Sequence, residues 1–129
     1  MRKPMTESEL SAQTDWFHQF AEQSVDQLAL QANETNRALF AHYVATSLPN
    51  HTPPESQPPE EFARTVLELR ENESQWNRAL ISALIKADDL FKAQEWQSAI
   101  STLESFAESC PWKLFQEVAR DQSLHYRPR

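Results

Sequence analysis

Asp15, His18 and Glu22 stand three and four residues apart, the spacing that sets metal-ligating side chains on one face of a helix. It amounts to half a metal site. No H-E-x-x-H and no repeated E-x-x-H stands elsewhere to complete it. The same spacing describes a solvated polar face, and that is the expectation, with no metal and no cofactor. The other histidines are scattered. His42 beside Tyr43 is expected to be partly buried or at an interface, His51 lies among prolines, and His125 is near the end of the chain. Cys110 is the only cysteine. A cysteine nucleophile needs a base beside it, and nothing in the pattern supplies one. Cys110 is also expected at a helix C-terminus, where the dipole disfavours thiolate. It is therefore read as a small buried apolar residue. A serine–histidine–acid site has no signature here. The expectation is a protein without catalytic residues.

Side chains suited to binding are more plentiful. The chain has four tryptophans, seven phenylalanines and two tyrosines. Most are expected in the core. Tyr43, Trp96, Trp112 and Phe115 are the candidates for contact with a partner, Trp112 because it follows Pro111 and is expected at a surface, where tryptophan is a common anchor. Acidic groups recur at Glu68, Glu71 and Glu73, and again at Asp88, Asp89 and Glu95. Either set forming one continuous face would suit a basic partner. Gln19, Gln23, Gln27 and Gln31 repeat at four and read as an exposed ridge, with a polar coiled-coil seam as the alternative. From Ser109 onward the chain is net positive while the remainder is strongly negative, an asymmetry that allows self-association or contact with an acidic partner.

The composition bounds the chemistry further. In 129 residues there is no glycine, where about nine would be usual. Glycine supplies positive φ, tight hairpins and close backbone approach to phosphate. Its absence excludes the P-loop, the G-x-G-x-x-G and G-x-S-x-G motifs and the standard EF-hand loop, and it argues against a β-rich fold. The formal net charge of −7 opposes binding to nucleic acid or anionic membrane. No apolar run approaches the ~20 residues that span a bilayer, and no apolar stretch follows the basic Met1–Met5 segment, so neither a membrane span nor a signal peptide is expected. With a single cysteine, this places the protein in the cytoplasm.

These side chains must be positioned by helices. The eight prolines divide the chain. Residues 5–48 and 60–110 contain neither proline nor glycine, while Pro49, Pro53, Pro54, Pro58 and Pro59 crowd a segment that can form neither helix nor central strand. One helical domain over 1–129 is expected. Its N-terminal half is 5–48, a Pro-rich connector covers 49–59, and its C-terminal half is 60–124. A capping box at Thr6–Glu9 starts the first helix, and Phe17, Phe20, Ala21, Val25, Leu28 and Ala32 form its apolar face. Asn33, Thr35 and Asn36 predict a break before a helix carrying Leu39, Phe40, Tyr43, Val44 and Leu48; one unbroken helix over 7–48 is the alternative. Pro59 with Glu60 and Glu61 starts the second half. Polar residues 70–74 predict another break, with Ser74 capping the next helix. A kink near Ala93–Glu95 and the stop at Pro111 complete an all-α fold of about six helices, a bundle or an array of hairpins. Without glycine C-caps, the stops are expected to depend on proline, asparagine and capping side chains.

One stretch carries a family pattern. Ala87, Leu90, Ala99, Leu103 and Pro111, with the run from Gln94 to Ile100, are spaced so that residues 80–111 resemble a single degenerate tetratricopeptide repeat, a unit of ~34 residues. The family usually has glycine where Ala87 and Gln94 stand, a large apolar residue at Lys86 and a small one at Phe106. The resemblance implies a helical hairpin that binds protein or peptide. The expected function is accordingly a non-enzymatic protein-interaction module, such as an adapter, chaperone or complex subunit, with a protein partner and a homodimer both open. The alternative is an acidic inhibitor or immunity-type protein that blocks a basic partner, a nucleic-acid-binding protein being one such partner.

Overall fold

The computed structural model describes residues 7–51 and 56–127. The capping box at Thr6, the middle of the connector and Arg129 lie outside the described residues. Six helices follow in order: α1 (Glu7–Phe20), α2 (Val25–Leu30), α3 (Glu34–Ser47), α4 (Pro59–Lys92), α5 (Trp96–Ser109) and α6 (Lys113–His125). Among the described residues there is no strand, and no helix is long and apolar enough to cross a membrane. The fold is all-α.

The number of helices matches expectation, but their boundaries do not. The expected first helix ends at Phe20. A new one starts after Ser24, whose hydroxyl accepts from the Gln27 N–H at 3.2 Å while the Gln27 side chain accepts from the Ser24 N–H at 3.1 Å. This is a capping box, and the sequence Ser24-x-x-Gln27 is its signal. The apolar spacing continues across the break, which is why it hides it. Asn33 caps α3 through the Asn36 N–H at 2.8 Å, as expected. The break expected at 70–74 does not occur, and Ser74 is mid-helix, receiving the Arg78 guanidinium. Phe62, Val66, Leu69, Glu73, Trp76, Leu80, Ala83, Ala87 and Leu90 alternate at four and three along α4, a heptad row. Glu73 holds the phase between the two apolar stretches, and it is buried, with 4% of its surface exposed.

The end of α4 shows how this chain stops a helix without glycine. Gln94 takes a left-handed backbone, φ 64°. Its N–H donates to the Phe91 carbonyl at 2.9 Å and the Glu95 N–H to the Leu90 carbonyl at 2.8 Å, the pair of bonds of a Schellman motif. Glutamine therefore fills the place that glycine usually takes, and the expectation of stops built only from proline, asparagine and capping side chains is corrected here. α5 ends at Ser109, two residues before Pro111.

The chain forms two compact units, 1–71 and 72–129. The division falls inside α4, not at the proline connector that was expected to part the halves. The N-terminal unit is built on an aromatic cluster. Phe17 stacks on Tyr43 at 4.4 Å and tilts toward Phe40 at 6.1 Å, and Phe40 meets Phe62 edge-on at 5.5 Å. The Arg37 guanidinium lies 5.0 Å over the Phe62 ring, a cation–π contact. In the C-terminal unit α4 and α5 run antiparallel, with Trp76 against Phe106 at 6.0 Å. α5 and α6 are antiparallel too and pack closely, with Arg127 reaching Glu104 at 2.6 Å. Phe91 stacks on Tyr126 at 4.8 Å, joining the C-terminal ends of α4 and α6. Ala87 and Ala99 are fully buried.

Candidate functional site

The four residues expected to meet a partner separate sharply. Tyr43 is buried in α3 against Phe17. Trp112 is buried, with 2% of its surface exposed, and its ring packs on that of Phe115, 6.2 Å away and also buried. The surface position expected for Trp112 is thus corrected. It precedes α6 as the N-cap residue, and its ring turns inward to cover Phe115 instead of outward from Pro111. Trp96 is different: nearly half of it, 47%, is exposed.

The position of Trp96 follows from the elements around it. It is the first residue of α5 and stands in line with Ala99, Ile100, Leu103, Phe106 and Ala107, the buried row of that helix. α4 has stopped at Lys92, and Trp96 follows the three-residue turn between the two helices. Phe91, also partly exposed, and Tyr126 belong to the same end of the unit. This end therefore presents aromatic surface, with Leu124 exposed near the end of α6. The sequence places Trp96 on the apolar row. Its exposure is seen only in the structure.

The charged groups do not gather into one acidic face. Glu68 and Glu71 are exposed, but Glu73 is buried. Asp88 pairs with Lys92 at 2.8 Å, and Asp89 and Glu95 share a shallow groove with Lys86. In the C-terminal unit eight acidic residues stand against seven basic ones, and in residues 1–71 eleven against five. The excess negative charge thus belongs to the N-terminal unit.

The expected glutamine ridge is not continuous. Gln23 and Gln31 join their side-chain amides at 2.7 Å, and Gln27 serves the Ser24 cap. Glu22 lies in the turn after α1, off the helix that carries Asp15 and His18. Among the described residues no group of three or more His, Cys, Asp or Glu is placed to hold a metal ion. His42 is exposed, not partly buried. Cys110 is buried, its thiol directed at the Trp112 carbonyl at 3.8 Å. Burial pushes this thiol above its ordinary range, against a weaker downward pull from that hydrogen bond. A thiol held neutral in this way is a poor nucleophile.

Two exposed residues escaped the sequence reading. Ile81 and Ile85, one turn apart on α4, expose 48% and 59% of their surface. Both fall outside the heptad row, and that is the signal that could have marked them. No family model, curated protein or solved structure matches this chain.

Proposed function

We propose that this protein is a non-enzymatic protein-interaction module, an adapter, chaperone or complex subunit, and that Trp96 anchors its partner. The observation that carries this is a tryptophan on the core row of α5 left 47% exposed where α4 ends. Tryptophan is enriched among the residues that dominate binding energy. A tryptophan buries roughly 200 Å², so covering the exposed half removes about 100 Å², worth about 2.5 kcal/mol at ~25 cal/mol/Å². The resemblance of residues 80–111 to a tetratricopeptide repeat supports the same reading. The buried, neutral Cys110 thiol supports the absence of cysteine catalysis. The single cysteine also fits a reducing compartment, and we place the protein in the cytoplasm.

The test is affinity purification from the native cell with wild-type, Trp96→Ala and Trp96→Glu baits. A stable protein held by the wild type and lost with Trp96→Glu is the expected result. Equal recovery by all three, or none by any, contradicts the proposal. The second reading, an acidic blocker of a basic surface, is favoured by the eleven acidic against five basic residues in 1–71. It requires a partner bound through that unit, released by salt and indifferent to Trp96.

A further inference from the structure

The outward side of α4 carries a second row. Ser74, Arg78, Ile81, Ile85, Asp88 and Lys92 follow at four, three, four, three and four, so they share one stripe, as the buried heptad row does. At 3.6 residues per turn the two stripes lie about two fifths of a turn apart. Isoleucines stand at the middle of the outer stripe, both exposed; Arg78, bonded to Ser74, lies one turn before them, and Asp88, paired with Lys92, lies one turn after.

That order is self-complementary in one direction only. We propose that a second copy of this chain docks antiparallel along the stripe, across a two-fold axis passing between Ile81 and Ile85. Ile81 then packs on Ile85 of the partner subunit, Arg78 faces Asp88 of the partner subunit, and Ser74 faces Lys92 of the partner subunit. Each contact occurs twice, as a two-fold interface requires. A parallel pairing would instead oppose Arg78 to Arg78 and Asp88 to Asp88, and like charges select against it. The seam is shorter than a standard interface, which buries ~800 Å² per partner, so the dimer is weak and forms only at high protein concentration. This surface is separate from Trp96, which stands on α5, so the dimer and the proposed partner site succeed or fail independently.

Sedimentation equilibrium of the full chain from about 10 to 500 μM tests the pairing. The wild type is expected to pass from monomer to dimer over that range. Ile85→Glu should leave only monomer, and Arg78→Asp should weaken the dimer about tenfold. The exchange Arg78→Asp with Asp88→Arg should restore it to within about threefold of wild type, because only antiparallel pairing sets those two positions opposite each other. These positions are at or near the surface, and circular dichroism checks that each variant keeps its helices. A wild type that is monomeric throughout, a dimer that survives Ile85→Glu, or a charge exchange that fails to restore association would each overturn the proposal.

Discussion

Replacing Gln94 by glycine should stabilise this protein, although glycine usually weakens a helical chain. Gln94 sits at φ 64° between α4 and α5, held by its own N–H to the Phe91 carbonyl and by the Glu95 N–H to the Leu90 carbonyl. A residue with a Cβ loses about 1–2 kcal/mol in this left-handed region. Glycine removes that strain but adds freedom to the unfolded chain, a cost of about 0.4–1 kcal/mol. The net gain for Gln94→Gly is then about 0.5–1 kcal/mol. For a chain of this size the melting temperature should rise by roughly 2–4 °C. Two companions fix the cause. Gln94→Val puts a β-branched residue at the same angle and should cost roughly 1 kcal/mol more than glutamine. Gln94→Pro locks φ near −65° and removes the donor to Phe91, and should cost about 3 kcal/mol or more. Thermal melts and urea titrations of the four proteins, followed by circular dichroism, give the comparison. A glycine variant no more stable than wild type, with valine equally neutral, would refute the left-handed stop and with it the account of how α4 ends.

Three further outcomes follow from single contacts. Ser24→Ala removes the capping box of α2 and should cost about 1 kcal/mol, measured as a lower urea midpoint at constant slope. Phe17→Ala empties the centre of the N-terminal aromatic cluster and should cost about 3–5 kcal/mol, a fall in melting temperature of 10 °C or more. Cys110 contributes a pH dependence of fixed sign: its folded thiol titrates above the ordinary value because it is buried. That contribution is present in full below about pH 8.5 and is lost as the pH rises through the folded value. Stability should therefore decline more steeply above pH 8.5 in the wild type than in Cys110→Ala.

Helix stops written in side chains were legible in the sequence. Asn33 caps the start of α3 and Pro111 follows the end of α5, each where its chemistry predicts. Stops written against the apolar pattern were not. At Ser24 the three-and-four spacing of Phe20, Ala21, Val25 and Leu28 continues through the break, and the capping box outweighs it. At 70–74 the reverse happens: a polar run looked like an interruption, yet Glu73 falls on the heptad row and α4 continues through it. The break near Ala93–Glu95 was legible, but its kind was not, because the hydrogen bonds that stop α4 at Gln94 come from the backbone and leave no mark on residue type.

The same distinction separates the candidate site residues. Tyr43, Trp96, Trp112 and Phe115 are alike in chemistry, and aromatic character does not reveal depth. Trp112 and Phe115, three apart, cover each other. Trp96 lies on the buried row of α5 yet is exposed at the first residue of that helix, a depth that residue type and spacing do not carry. Ile81 and Ile85 were in principle readable, since a pair of isoleucines off the heptad row has no core to enter.

The most direct test of the interaction surface is the affinity of the recovered partner for wild-type protein and for Trp96→Ala, measured by titration calorimetry. Loss of about 2.5 kcal/mol of apolar burial should weaken binding roughly 50- to 100-fold while the melting temperature of the free protein stays within about 2 °C. Equal affinity for the two proteins would contradict the claim that this exposed tryptophan is the anchor.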